Sequence, residues 1–333
     1  MRILKSILFL LISLSFGFAY AQYTEVINSN RPGVSQSAFS VGTGIVQFEA
    51  GAFTVKEEHA LRNYDVSGFG LDFALRYGLL FEQLELSLNG VYQNDKISNI
   101  NSAIPFENKR SNFKNFTLGA KYLVYDPYKN AGEEKPNIYS YHANRKFSWK
   151  TLIPAVSVYA GANFDTKNNP FIPYNANSAV NNEGGFSPKV MIATQNNFNS
   201  GWVFVMNLIK DRIGTDQSDF QYILTLTHSF TPQWVVFGET QGIQSDFYAD
   251  NIFRFGGAYL WTKDFQLDAN IAFNTKDTPS VFNIAFGASY RLDFHKDKKI
   301  DNGTSSKDSK GEKRKDKKKN KKNKKKKADD FDS

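Results

Sequence analysis

The stretch "VFNIAFGASYRLDF", residues 281–294, alternates an apolar or small residue with a polar or small one and ends on the aromatic Phe294. This period-two alternation is typical of a β-strand with one apolar face. A single strand of this kind also occurs in soluble sheets, where its apolar face covers a core. The fold therefore depends on whether the pattern repeats along the rest of the chain.

The same alternation recurs between residues 45 and 294. It predicts twelve strands, near residues 45–54, 67–77, 82–93, 113–124, 150–163, 188–197, 202–211, 220–230, 234–242, 251–261, 265–274 and 281–294. Strands of about ten residues, at about 3.3 Å per residue and a tilt near 45°, span roughly the 25 Å apolar band of an outer membrane. Strands of soluble proteins are shorter, with a mode of about 5 to 6 residues. We therefore predict an all-β fold, a transmembrane antiparallel up-and-down β-barrel over residues 45–294.

The connections between the predicted strands alternate in length. Tight turns such as 231–233 and 262–264 lie at one end of the barrel, and longer segments such as 94–112 and 164–187 lie at the other. Membrane barrels have this asymmetry. The exception is 125–149, a long segment at the short-turn end, where an extra hairpin would give fourteen strands.

The inner phase of the predicted strands gathers charges of both signs. The candidate residues lining a solute path are Glu49, Asp72, Arg76, Glu85, Lys121, Glu239, Arg254, Asp268, Arg291 and Asp293. A barrel of twelve strands is wider than an eight-stranded barrel, which side chains fill, and narrower than a 16-stranded porin. The charges therefore fit either a narrow path for solutes or a closed, salt-bridged lumen.

Aromatic residues accumulate at the ends of the predicted strands, beside the short turns. They include Tyr77, Phe81, Tyr122, Tyr125, Trp149, Trp202, Phe230, Trp234, Tyr259, Trp261, Phe265, Tyr290 and Phe294. Amphipathic rings at the level of the lipid headgroups form the girdles of membrane barrels. Their position beside the turns favours the membrane-barrel interpretation over a general preference of aromatic residues for strands.

The first 21 residues, "MRILKSILFLLISLSFGFAYA", have a basic start, an apolar run over 7–14 and an Ala-Tyr-Ala ending. These features predict a signal peptide and a mature chain that begins at Gln22. A transmembrane anchor needs about 20 apolar residues, more than this run provides. We therefore expect an exported protein.

The chain contains no cysteine, which excludes disulfides, thiolate metal sites and the lipid-bearing cysteine of a lipoprotein. Its four histidines are scattered, so we predict no metal site and no cofactor. His228 lies inside a predicted strand, but the neighbouring Ser229 points to the opposite face, and no G-x-S-x-G motif accompanies them. We therefore predict no catalytic residue and no enzymatic activity; His228 is expected at the lipid interface.

The basic charge of the chain comes from its C-terminal tail, residues 295–333. This tail holds 17 Lys and Arg against 8 Asp and Glu, or +9, whereas the whole chain carries +8, so the remainder carries −1. Having almost no apolar residues, the tail is predicted to be disordered. We expect it in the periplasm, as a solvated extension or bound to an anionic partner, and we expect no nucleic acid because the protein is exported.

The stretch "NSNRPGVSQSAFSVGTGIVQFEAG", residues 28–51, carries a recognisable set of residues, which comprises Arg31, Pro32, Val41, Gly44, Gln47, Glu49 and Gly51. It resembles the N-terminal signature of a bacterial family of outer-membrane transporters, the MetA-pathway of phenol degradation family. The resemblance implies a role in the uptake of aromatic or hydrophobic compounds. The sequence has Asn30 where the family usually has Asp, so an ion pair made by that Asp is not expected here.

Residues 22–44 show no clean alternation and contain Pro32 and several glycines, which indicates an irregular segment. One interpretation is a gate or plug in the inner mouth of the barrel, with Arg31, Pro32 and Gly33 as its candidate residues. The other is a periplasmic leader that gives slack before the first strand.

Two functions fit these patterns. The first is a porin-like outer-membrane channel for passive uptake of small molecules. The second is a structural or scaffolding barrel with a closed lumen, whose basic tail binds an anionic periplasmic partner. Either would contact outer-membrane lipid and the barrel assembly machinery, because Phe294 resembles the C-terminal aromatic signal of that machinery's clients, although the chain continues beyond it.

Overall fold

The structure is a computed structural model that describes residues 26–99, 106–128, 149–172, 184–198 and 201–295. The predicted signal peptide, the basic tail after residue 295 and most of the segment 125–149 lie outside these ranges. Within them, the only helix is a short 3₁₀ turn, Trp149–Leu152. None of the described helical residues forms a helix long and apolar enough to cross a membrane.

Twelve strands make up the described fold. They are β1 (Ile45–His59), β2 (Tyr64–Gly78), β3 (Leu84–Asn99), β4 (Phe106–Tyr125), β5 (Ala155–Asp165), β6 (Gly185–Phe198), β7 (Trp202–Asp211), β8 (Asp219–Ser229), β9 (Trp234–Ser245), β10 (Ala249–Thr262), β11 (Phe265–Asn274) and β12 (Ser280–Asp293). Each strand pairs with its neighbours in the chain, and β12 pairs antiparallel with β1, which closes the barrel. The predicted closed antiparallel barrel of twelve strands is confirmed.

The first four strands extend further than the alternation predicted. β1 to β4 contain 15, 15, 16 and 20 residues. Their distal ends carry charged residues on the outer face, such as Lys56, Glu58 and Lys109, so the apolar alternation stops although strand pairing continues. The prediction of a long loop at 94–112 is therefore wrong, since only residues 100–105 separate β3 from β4.

The two faces of the strands differ as the alternation predicted. In β1, Gln47 and Glu49 are 0% and 4% exposed on the inner face, whereas Phe48 between them is 47% exposed. In β12, Phe286 is 64% exposed and its neighbour Ala285 9%. Soluble monomers rarely expose contiguous apolar patches larger than a few hundred Å². A closed barrel with an apolar exterior instead suits lipid, in which every backbone group is bonded within the wall.

One end of the barrel, where β1 begins and β12 ends, is called the terminal rim. Aromatic residues predicted at strand ends form a belt around its outer face. Trp202 and His228 stack with ring centroids 4.2 Å apart, and Trp234 and Tyr259 lie 4.7 Å apart. His228 thus packs against exterior rings, in agreement with its predicted interfacial position.

Candidate functional site

The irregular segment that precedes β1 lies inside the barrel; residues 26–44 are called the plug. At the terminal rim, the backbone N–H of Ile27 donates to the oxygen of Lys263 over 2.8 Å. The plug returns to the wall through Gly42 and Gly44, whose φ angles of 90° and 76° are readily adopted by glycine. The contacts of the described part fit the plug interpretation better than that of a periplasmic leader.

Polar side chains of the wall bond to the plug from ten of the twelve strands. They are Glu49, Arg76, Glu85, Lys121, Gln195, Asn207, Thr225, Glu239, Asn270 and Ser289. Asn207, for example, accepts from the N–H of Gln36 at 2.6 Å and donates to its oxygen at 2.8 Å. A buried irregular segment needs such partners, because its backbone groups have no strand or helix to pair with.

Four of the predicted residues form one buried network, called the four-charge cluster: Glu49, Arg76, Glu85 and Lys121. Arg76 lies 3.1 Å from Glu49 and 2.9 Å from Glu85, and Lys121 lies 3.2 Å from Glu85. Each of the four residues is at most 4% exposed. Two positive and two negative charges balance, which buried ions require. Arg76 also donates to the backbone oxygen of Asn28 over 2.7 Å, so the cluster holds the plug.

Arg31, a predicted gate residue, joins the plug to one strand from the start of the chain and one from its end. Its guanidinium pairs with Asp72 on β2 and, with Nε 3.1 Å from the carboxylate, with Asp268 on β11. Burial lowers the pKa of Arg31, but the charges of Asp72 and Asp268 outweigh it and raise the pKa above its ordinary value. The side chain is therefore a permanent cation.

The wall beneath the guanidinium is a row of four paired residues, called the Arg31 seat. Asp72 is paired with Gly51, Gly51 with Gly287, and Gly287 with Asp268. A Cβ atom placed on either glycine would overlap the guanidinium of Arg31. The glycines thus leave a slot in the wall, with a carboxylate at each side.

Glu239 holds the next part of the plug. It accepts from the backbone N–H groups of Val34 and Ser35, each over 3.2 Å, and pairs with Arg254 at 3.1 Å. Asn30, the residue that departs from the family signature, instead accepts from the N–H of Ser37 at 3.1 Å. Its neutral side chain shapes the plug and forms no ion pair.

At the terminal rim, the remaining two predicted residues share a network. Arg291 lies 3.0 Å from Asp264 and 3.4 Å from Asp293. Asp293, at the end of β12, is exposed at the rim, whereas the other nine predicted residues are buried or half-buried.

Two cavities lie on either side of the plug. The larger has a volume of about 470 Å³ and the smaller about 210 Å³. Asn30, Arg31, Pro32 and Gly33 contribute to the walls of both. Of the ten residues predicted to line a solute path, Glu49, Asp72 and Arg254 line the larger cavity. The other seven are held in the ion pairs described above.

The larger cavity has an apolar side that the sequence reasoning missed. Tyr159, Met191, Ile209 and Ile223, on β5 to β8, form a buried cluster on the inner face and line the cavity. Two strands in this region are apolar in both phases, as in "VMIA" at 190–193, and this pattern could have signalled an apolar lumen wall.

Phe171, which follows β5, and Arg110 on β4 line the distal part of the larger cavity. Phe171 lies under Arg110, whose guanidinium carbon is 4.9 Å from the ring centroid, and Arg110 also pairs with Asp95 at 2.7 Å. Asn169 donates to the oxygen of Phe113 over 2.7 Å, which fixes this segment on the wall. The larger cavity thus extends from the plug to these distal residues.

Comparison with known proteins places the chain in a family. The family described as "Putative MetA-pathway of phenol degradation" matches residues 29–292. No curated protein matches the sequence.

Several solved structures align with this chain at low identity. An outer membrane channel from Pseudomonas putida F1 is 13% identical and has a TM-score of 0.48, with 80% of this chain and 100% of that chain covered. The translocator domain of the autotransporter NalP from Neisseria meningitidis is 11% identical, with a TM-score of 0.43 and coverage of 75% and 89%. A mutant of the TodX monoaromatic hydrocarbon channel is 10% identical, with a TM-score of 0.40 and coverage of 81% and 96%.

Proposed function

We propose that this chain, which belongs to the Putative MetA-pathway of phenol degradation family, is a bacterial outer-membrane channel that carries small molecules passively and is gated by its plug. The closed antiparallel barrel, with its apolar exterior and polar lumen, supports a position in the outer membrane. Neither a cofactor nor covalent chemistry is needed for this function.

The observation that carries the proposal is the position of Asn30, Arg31, Pro32 and Gly33 between the two cavities. When these residues move aside, the cavities of about 470 and 210 Å³ become continuous. The larger volume lies in the range of about 300 to 1,000 Å³ that small-molecule sites occupy. The resting structure is then the closed state of the channel.

The lining of the larger cavity supports a solute that combines apolar and polar parts. The apolar cluster of Tyr159, Met191, Ile209 and Ile223 faces charged and amide groups across the lumen. This arrangement is compatible with the hydrophobic or aromatic solutes that the family resemblance implies.

A removable link between the plug and the wall tests the gate. Ser29 on the plug and Ser289 on β12 have their hydroxyl oxygens 2.7 Å apart. Because the chain has no cysteine, the double variant Ser29→Cys/Ser289→Cys would carry the only two thiols. A disulfide needs sulfur atoms about 2.05 Å apart, so only a small shift of the two side chains is required to form it.

In planar bilayers, the double variant is expected to show open steps in reductant and none after oxidation. The single variant Ser29→Cys is the control and should conduct under both conditions. Equal conductance of the oxidised and reduced double variant would show that the plug is not the gate. Silence of the wild type and of every variant, with the barrel intact, would contradict the channel itself.

The extent of the plug contacts favours a second candidate, a structural barrel with a permanently closed lumen. Ten strands bond to the plug, and the four-charge cluster beneath it is almost fully buried. In this case the basic tail, residues 295–333, would provide the function by binding an anionic periplasmic partner. The bilayer experiment separates the two candidates, since a structural barrel stays silent in reductant.

The proposal also assigns an orientation and partners. The terminal rim, where β1 begins and the chain leaves β12, would face the periplasm, so the basic tail would begin there. Outer-membrane lipid would contact the exterior, and the barrel assembly machinery would insert the protein. Protease added to intact cells should then spare an epitope placed at residue 333.

A further inference from the structure

We propose that the Arg31 seat is a binding site for small organic cations that carry a guanidinium group, and that such a cation opens the lumen by displacing Arg31. This inference rests on the proposed function, because it assigns a ligand class and a mode of opening to the same lumen. Arg31 is, in this view, a ligand that the chain supplies to its own wall.

The shape of the seat suits a flat group. Its four residues form one continuous row across β2, β1, β12 and β11, and all four belong to the inner face. At Gly51 and Gly287, an added Cβ would overlap the Cζ and Nη2 atoms of Arg31. The guanidinium therefore lies against bare backbone, where a planar group fits and side chains are absent.

The charge of the seat requires a cation. Asp72 and Asp268 are bonded to Arg31, and no other cation pairs with either carboxylate among the described residues. The side chain of Asp268 is 0% exposed. If Arg31 leaves, two carboxylates remain in a partly buried wall without a partner, which is costly unless another cation replaces it.

The geometry favours guanidinium over a spherical ion. Arg31 bonds to both carboxylate oxygens of Asp268, at 3.1 and 3.2 Å, while another of its nitrogens bonds to Asp72. A planar group with donors on several edges can engage both carboxylates at once, whereas a sodium ion cannot span them in this way.

The seat is also reachable by a solute. Asp72 is the more exposed of the two carboxylates, with 30% of its side chain accessible, and it lines the larger cavity. A cation in this cavity therefore meets Asp72 beside the bound Arg31. Since the free cation binds the wall only when Arg31 is displaced, its binding shifts the population towards the open state.

The wild-type protein supplies the first test. Guanidinium chloride at low millimolar concentration is expected to increase the fraction of time that single channels stay open, relative to the same concentration of sodium chloride. A millimolar concentration of guanidinium is needed because it competes with Arg31, a tethered group whose effective concentration is of the order of millimolar. An open fraction that responds equally to the two salts would overturn the proposal.

Variants of the full chain supply the second test. In Arg31→Ala the seat is empty, and guanidinium should bind it and reduce the sodium current. In Arg31→Ala/Asp72→Asn/Asp268→Asn this block should be at least about tenfold weaker, because charged partners are lost. Arg31→Ala/Gly287→Ala keeps both carboxylates but fills the slot, and it should also weaken the block.

The matched control is Arg31→Ala/Glu57→Gln, which removes a carboxylate of the larger cavity that lies outside the seat. It should be blocked like Arg31→Ala. Equal block of Arg31→Ala and the triple variant would overturn the proposal while leaving the channel function intact. Calorimetric titration of detergent-solubilised Arg31→Ala with guanidinium tests the binding site independently of conductance. Heat of binding in a protein that never conducts would contradict the proposed channel function but not the proposed site.

Discussion

The ammonium group of Lys121 on β4 donates over 2.9 Å to the backbone oxygen of Ser37, which lies 84 residues earlier in the chain. It makes a second bond of 3.0 Å to the oxygen of Phe39. Because Lys121 also pairs with Glu85, the same side chain belongs to the wall and to the plug. Lys121 thus contributes both to the attachment of the plug and to the ion pairs of the wall.

Lys121→Met should loosen the plug and also destabilise the barrel, which should still fold, because one cation of the four-charge cluster is lost. Two bonds from a charged donor to the plug are lost, each worth about 1.5 to 3 kcal/mol, together with the ion pair to Glu85, which keeps both bonds to Arg76. We expect a larger open fraction in single-channel recordings, with the heat-dependent shift on detergent gels retained. The control is Lys96→Met, which removes an exposed pair with Glu107; an open fraction equal to this control would contradict the prediction.

Arg76→Gln and Arg254→Gln should have different effects although both remove an inner-face arginine. Arg76 is 0% exposed between two glutamates, so its loss leaves an uncompensated buried charge and should destabilise the barrel by about 3 to 5 kcal/mol. Arg254 pairs with the buried Glu239, but that carboxylate keeps its bonds from the N–H groups of Val34 and Ser35, so Arg254→Gln should be less destabilising than Arg76→Gln. Because Arg254 lines the larger cavity, Arg254→Gln should also become more selective for cations. Thermal unfolding and reversal potentials in a salt gradient measure the two effects; similar unfolding of both variants would be evidence against this assignment.

Two alanines of β12 allow a matched test of the solute path. Ala285 faces inward and lines the larger cavity, whereas Ala288 is in the opposite phase. Ala285→Phe should narrow the path and reduce the open-channel current and the rate of solute entry in liposome swelling. Ala288→Phe should leave both unchanged, and a current that falls equally in the two variants would exclude the larger cavity from the path.

Truncation after His295 should leave the channel unchanged. The barrel closes between β1 and β12 without residues from the tail, so we expect the same conductance and the same gel shift. Binding to vesicles of anionic lipid should fall, because each Lys or Arg near such a surface contributes about 1 kcal/mol. Lost conductance in the truncated protein would mean that the tail takes part in gating.

The number and phase of the strands could be predicted from sequence because each strand carries its own alternation. The charged outer faces at the distal ends, as at Lys56 and Glu58, do not follow this pattern, so β1 to β4 were predicted too short. Pairing there is fixed by the neighbouring strands, since Lys56 lies opposite Ser67 and Phe282 in the sheet.

The candidate site was only partly predictable for a different reason. The inner-face charges follow from alternation, but their partners depend on contacts far apart in the chain. Arg31 and Asp268, for instance, are separated by 237 residues, so the residues around Arg31 could not distinguish a plug from a leader. The role of Gly51 and Gly287 likewise arises only when β1 and β12 are in register.

The seat of Arg31 has a consequence for biogenesis. Two of its residues come from β1 and β2 and two from β11 and β12, so it comes into existence only when the last hairpin meets the first. A nascent sheet that has not yet closed presents Arg31 with at most two neighbouring residues of the seat. Docking of Arg31 must consequently be a late event, which coincides with the closure of the barrel between β1 and β12.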